Sequence, residues 1–206
     1  MTRRFGSWWI APLLALLAAA MPAPALAQQA QEAPDALVQR LAAEVLDAAK
    51  ATTGDVDVAA LVDAKIMPNV DFARMTASAM ARAWRDATPE QQQRLQVEFK
   101  ALLVRTYAGA LAQAKDRTVV VKPLRGAPGE DALVRTLVKG QGEPLQVDYR
   151  LVRETAGWKI VDLNVMGVWL VEAYRGQFAA EIGARGIDGL IATLTARNRT
   201  VVAGSR

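Results

Sequence analysis

The chemistry open to this chain is narrow. It has no histidine and no cysteine, so the usual general base, the usual zinc ligand and every thiolate are missing. Past the first segment, serine occurs only at Ser78 and Ser205, and a Ser-His-Asp triad cannot be assembled. Carboxylates remain. Glu130-Asp131 falls at a turn, where adjacent side chains diverge and water keeps both ionised. Asp162 follows Trp158 and Lys159 on a strand, which suits an ion pair or a turn better than an acid with a shifted pKa. Asp55, Asp57 and Asp63 cluster near Gly54 but lack the spacing of a calcium loop and its closing glutamate; helix capping accounts for them. No catalytic residue and no metal site is expected.

What the chain has in quantity is apolar side chains, 52% of all residues. Trp84, Tyr107, Tyr149, Trp158, Trp169 and Tyr174 fall on segments that should face a core. Ordinary packing explains each of them singly. Whether that core is filled or hollow is not visible in the pattern, because a closed core and a greasy pocket use the same residue types.

The elements that position these side chains read in three blocks. Helical spacing starts at Asp35, with Leu37, Leu41, Val45 and Ala48 or Ala49 on one stripe, and Thr52-Thr53-Gly54 ends it. Asp57 can cap a short helix to Ile66 stopped by Pro68, and Asp71 a third helix, Phe72 to Asp86. Thr88-Pro89-Glu90-Gln91 combines a cap, a proline at the first helical position and a capping box. The helix it opens runs to about Ala114. It presents Leu95, Phe99, Leu102, Thr106 and Ala110, widened by Leu103, Tyr107 and Leu111, a stripe broad enough for more than one neighbour.

The period then changes from 3.6 to 2. Strands are expected over Thr118 to Leu124, Asp131 to Lys139, Pro144 to Glu154 and Trp158 to Asn164, with glycine-bearing turns between them. Helix returns at about Val168, with Val171, Tyr174, Phe178 and Ile182 on a stripe. A last helix follows Gly186-Ile187-Asp188 to about Asn198. Helices, then an antiparallel meander, then helices make an α+β class.

The ends read differently. Arg3 and Arg4, the apolar stretch Trp8 to Ala20 and the small-x-small site Ala25-Leu26-Ala27 form a secretory signal peptide over residues 1–27. The apolar stretch is shorter than the ~20 residues of a spanning helix. Residues 28–34 are then a flexible lead, 35–198 the folded domain and 199–206 a frayed tail, and the expected location is the periplasm after cleavage near Ala27. The net charge of +4 falls by two once the leader is removed. With no basic run, nucleic acid is not an expected partner.

Several stretches in order resemble the MlaC (toluene-tolerance) family of periplasmic phospholipid-binding proteins. They are Lys65-Ile66-Met67-Pro68 with Val70-Asp71-Phe72, Ala83-Trp84-Arg85-Asp86-Ala87-Thr88-Pro89-Glu90-Gln91, and Phe99-Lys100-Ala101-Leu102-Leu103-Val104-Arg105-Thr106-Tyr107. Val147-Asp148-Tyr149-Arg150-Leu151, Gly157-Trp158-Lys159-Ile160-Val161-Asp162, Val165-Met166-Gly167-Val168 and Gly186-Ile187-Asp188-Gly189-Leu190-Ile191 continue the order over roughly residues 35–198. One departure is Trp169, where the family often has a small polar residue; this bears on pocket shape or lipid choice.

The resemblance implies a four- to five-stranded curved antiparallel sheet packed on N- and C-terminal helices, with an apolar cavity between them. It implies a carrier without cofactor, whose cargo is phospholipid. Such a carrier exchanges with an inner-membrane ABC transporter complex and an outer-membrane lipoprotein complex, maintains lipid asymmetry of the outer membrane, and binds no ATP itself. On the family pattern Met80, Trp84, Tyr107, Val119, Val121, Val147, Tyr149, Leu151, Ile160, Val165 and Val168 line the cavity, with Arg105, Arg150 and Lys159 at its head-group rim.

Two other readings have distinct signatures. A cone-shaped α+β enzyme related to nuclear transport factor 2, acting on an apolar substrate, requires a carboxylate pointing into the pocket, with Asp148 and Asp162 the residues to inspect. An interaction module without ligand requires close packing between Tyr107 and Val147.

Overall fold

Side-chain alternation from Thr118 onward does build a sheet, and helices precede and follow it, in a computed structural model that describes residues 32–51 and 56–200. The signal peptide and the 52–55 stop lie outside those residues, as do most of the lead and tail. Helix α1 spans Pro34–Ala51 and buries Leu37, Val38 and Leu41. Asp57 accepts a hydrogen bond from the Ala60 amide and opens α2, Val58–Leu61. This runs on through a π-helical turn, Val62–Ile66, and a 3-10 turn, Met67–Asn69, that contains Pro68.

Asp71 caps α3 by accepting from the Arg74 amide, but α3 is only Phe72–Met80. The expected single helix to Asp86 breaks at Ala81, which takes a φ of 52°, and resumes as α4, Ala83–Asp86. The capping box of α5, Pro89–Ala112, is complete: Thr88 Oγ1 accepts from the Gln91 amide and Gln91 Oε1 from the Thr88 amide.

After a 3-10 turn at Ala114–Asp116, the strands β1 (Thr118–Val121), β2 (Asp131–Lys139), β3 (Leu145–Glu154), β4 (Gly157–Val165) and β5 (Val168–Trp169) form one sheet in that order. All neighbours are antiparallel. β1 stops at Val121, three residues before the expected Leu124. β5, expected as the start of a helix, turns tightly back from β4 through Met166 and Gly167, both at positive φ. It covers only the Asn164–Val165 end of β4; beside Ile160 that edge is closed by a parallel bridge from Val70 and by the Asp71 amide donating to the Ile160 carbonyl.

One irregularity changes which residues share a face. Arg150 pairs with Asp162 and Leu151 with Ile160, so Val161 is an extra residue on β4. A bulge of this kind reverses side-chain parity. Trp158 and Ile160 therefore face the same way as Leu163 and Val165, which strict alternation would forbid.

The long C-terminal helix α6, Leu170–Thr200, is kinked at Gly186, whose φ of 72° and ψ of −177° only glycine adopts readily. Two cores result. Met75, Met80, Leu95, Phe99, Phe178 and Leu194 form an all-helical core of α3, α5 and α6. Leu37, Val38 and Leu41 of α1 pack on Val134, Leu151, Trp158 and Ile160 of the sheet.

Candidate functional site

The two cores do not meet everywhere. Between them lies an apolar cavity of about 520 Å³, within the roughly 300–1,000 Å³ range of small-molecule sites. Val45 and Leu46 of α1, Leu103, Tyr107 and Leu111 of α5, and Phe72 and Met75 of α3 form its helical wall. Val119, Val138, Leu145, Val147, Tyr149, Ile160, Leu163 and Val165 form its sheet wall. Leu37, Val38 and Leu41 of α1 pack on the part of the sheet around Leu151 and Trp158, and the void lies against the part around Val138, Leu145, Val147 and Val165. The broad stripe on α5 serves both regions. Leu95 and Phe99 enter the helical core, and Leu103, Tyr107 and Leu111 look onto the void.

Tyr107, Val119, Val147, Tyr149, Ile160 and Val165 thus stand on the cavity wall. The other expected residues do not. Met80 is buried in the helical core and Trp84 packs on its edge. Leu151 shares the face of Tyr149 but lies under α1, and Val121 packs on that same cluster, opposite Thr136. Val168 is on β5 and 54% exposed. Trp169, expected to alter the pocket, instead stacks under the Arg150 guanidinium at 4.3 Å on the other face.

The three expected rim cations are engaged elsewhere. Arg105 donates to the Arg197 carbonyl at 3.0 Å, Lys159 to the Pro68 carbonyl at 2.6 Å, and Arg150 to Asp162 at 3.5 Å. The charged and amide side chains of the lining are instead Lys100, Arg117, Gln141 and Glu143. Lys100 is paired with Asp63 at 2.9 Å. Sequence reasoning missed these and the α1 residues; the extra width of the α5 stripe was the one available signal.

The two tyrosines are the polar groups of the inner wall. Burial pushes both phenols above their ordinary value, so they stay neutral hydroxyls. Neither Asp148 nor Asp162 reaches the void. Asp148 accepts both hydrogen bonds that the Gln146 amide makes to it. Asp162, 3% exposed, accepts from the amides of Leu163 at 2.9 Å and Val171 at 3.1 Å. It is a cap for α6 supplied from a strand. The buried carboxylate that the enzyme reading needs is not on the wall among the described residues, and the close packing that the interaction-module reading needs between Tyr107 and Val147 is replaced by space. Among the same residues no group of three or more histidine, cysteine or acidic side chains could hold a metal.

Asp162→Ala should leave two inner N–H donors unpaired, at a cost of about 3 kcal/mol, read as a thermal midpoint lower by about 10 °C. Burial is the largest influence on Asp162 and raises its pKa above the usual 3.8. A raised carboxyl favours the folded state when protonated, so its contribution is present below pH 3.8 and fades as pH rises through the window just above that value. Asp162→Asn, which keeps an acceptor oxygen, should hold most of the midpoint and flatten that part of the stability-pH curve in calorimetry.

Comparison with known proteins bears on the cavity. The family described as MlaC protein matches residues 35–196. Toluene tolerance protein ttg2D of Pseudomonas putida is 33% identical over 123 residues, 59% of this chain and 57% of that protein, so the chain spans little more than half the length of this relative. A phospholipid-binding protein from Ralstonia solanacearum, solved in complex with a phospholipid, is 44% identical with a TM-score of 0.78, covering 82% of this chain and 98% of that one.

Proposed function

From the premise that this chain belongs to the MlaC family, we propose that it is a phospholipid carrier, taking the acyl tails of one lipid into the cavity and leaving the head group at the mouth. The observation that carries this reading is the void itself, walled by aliphatic and aromatic side chains between two dry cores. A diacyl lipid has about 30 tail methylenes at roughly 0.8 kcal/mol each, so its exposure to water costs on the order of 20 kcal/mol. An apolar cavity exchanges one hydrocarbon environment for another. Transfer then needs no reactive side chain, which accords with a chain lacking histidine and cysteine and with the neutral hydroxyls of Tyr107 and Tyr149 on the wall.

The carrier works in the periplasm after removal of residues 1–27, exchanging lipid with an inner-membrane ABC transporter complex and an outer-membrane lipoprotein complex, and so maintains outer-membrane lipid asymmetry. The family likeness and the signal-peptide pattern support this part.

Transfer of a self-quenched fluorescent phospholipid from donor to acceptor vesicles tests the carrier activity. The catalytic addition of the delipidated protein should raise the dequenching rate at least tenfold over vesicles alone. A rate equal to the protein-free one contradicts it.

A further inference from the structure

Resting on the reading that the cavity holds lipid tails, we propose that Arg117 is the head-group anchor, gripping the phosphodiester at the cavity mouth, and that Gly140 is glycine to let it lie there. Arg117 links the 3-10 turn to β1, and its side chain lines the cavity together with Gln141 and Glu143 of the β2–β3 turn. Among the described residues its guanidinium makes one hydrogen bond, to the Gln141 carbonyl at a long 3.4 Å. Among the described residues no carboxylate lies within ion-pair distance of it, whereas the lining's other cation, Lys100, is already neutralised by Asp63. Most of the five N–H donors of the guanidinium are therefore open, in the fork geometry that fits phosphate oxygens.

Gly140 supplies a second, independent observation. Its backbone is not in the left-handed region, so conformation does not demand glycine. A Cβ there would come 2.5 Å from Arg117 Cδ and 2.8 Å from Nη1. The arginine side chain occupies the space that a Cβ at Gly140 would need. An alanine would fold around this contact by moving the flexible end of Arg117 away, displacing the charge without removing it.

The test compares two probes with the same tails, dioleoyl phosphatidylethanolamine and dioleoylglycerol, which lacks the phosphate. Each is loaded from detergent micelles into the delipidated full chain, and retained lipid per chain is counted by mass spectrometry after gel filtration. Arg117→Gln and Gly140→Ala should each lower phospholipid retention about tenfold, the scale of one charge-assisted hydrogen bond, with diacylglycerol retention unchanged. Retention of both lipids falling together makes Arg117 part of the apolar mouth and overturns the proposal, as does no fall in either. A wild-type chain that retains neither lipid overturns the carrier reading and this one with it.

Discussion

Phe99→Ala should lower the unfolding free energy by about 4 kcal/mol, the middle of the range for a core aromatic. Phe99 is 0% exposed, and its ring meets those of Phe72 at 5.6 Å, Tyr174 at 5.0 Å and Phe178 at 5.1 Å. The last two are edge-on contacts, a favoured aromatic geometry. These partners come from α3 and α6, so one side chain joins three helices, and none of them can collapse into the space without moving the others. Thermal unfolding should show a midpoint lower by about 10–15 °C. Val147→Ala, on the cavity wall, removes apolar atoms that already border empty space and should cost less than about 1 kcal/mol. Equal losses at the two sites would mean that the wall is as tightly packed as the helical core.

The second large effect is on binding. Val147→Asp should lower phospholipid retention at least about a hundredfold while the thermal midpoint moves by a few degrees at most. In the lipid-free chain the new carboxylate faces a void open to water. With tails in place it would be desolvated against hydrocarbon, at a cost of several kcal/mol. Retention measured as a function of pH adds a signature that misfolding would not give: it should recover as acid neutralises the introduced carboxyl. Unchanged retention at neutral pH would place the tails elsewhere.

How much of this was legible in the sequence depends on how local the cause is. The capping box at Thr88–Gln91 and the aspartate caps at Asp57 and Asp71 are contained in three or four residues, and each appears where its pattern predicts. The strands β2, β3 and β4 begin and end within a residue of where their alternation places them. The two-residue β5 carries no period of its own, and the break at Ala81 places a positive φ on an alanine that nothing nearby announces.

The bulge at Val161 mattered most. Ile160 and Val165 stand on opposite sides of a regular strand, and only the extra residue puts both on the cavity wall. Site residues with a tertiary cause were not legible. Leu151 and Tyr149 have identical credentials in the sequence, and what separates them is that Leu151 is buried in the cluster under α1 while Tyr149 borders the cavity. Arg105, Arg150 and Lys159 likewise look no different from Arg117 until their surroundings are seen: a carbonyl or carboxylate partner away from the cavity for each of the three, and a place on the cavity lining for the fourth.

The account stands on the cavity being completed by lipid hydrocarbon. Organic extraction of the protein purified from a Gram-negative periplasm, followed by quantitative mass spectrometry, measures this directly. It should yield close to one diacyl phospholipid per chain, and the Val147→Asp variant about a hundredth of that or less. A wild-type extract free of phospholipid would contradict the account.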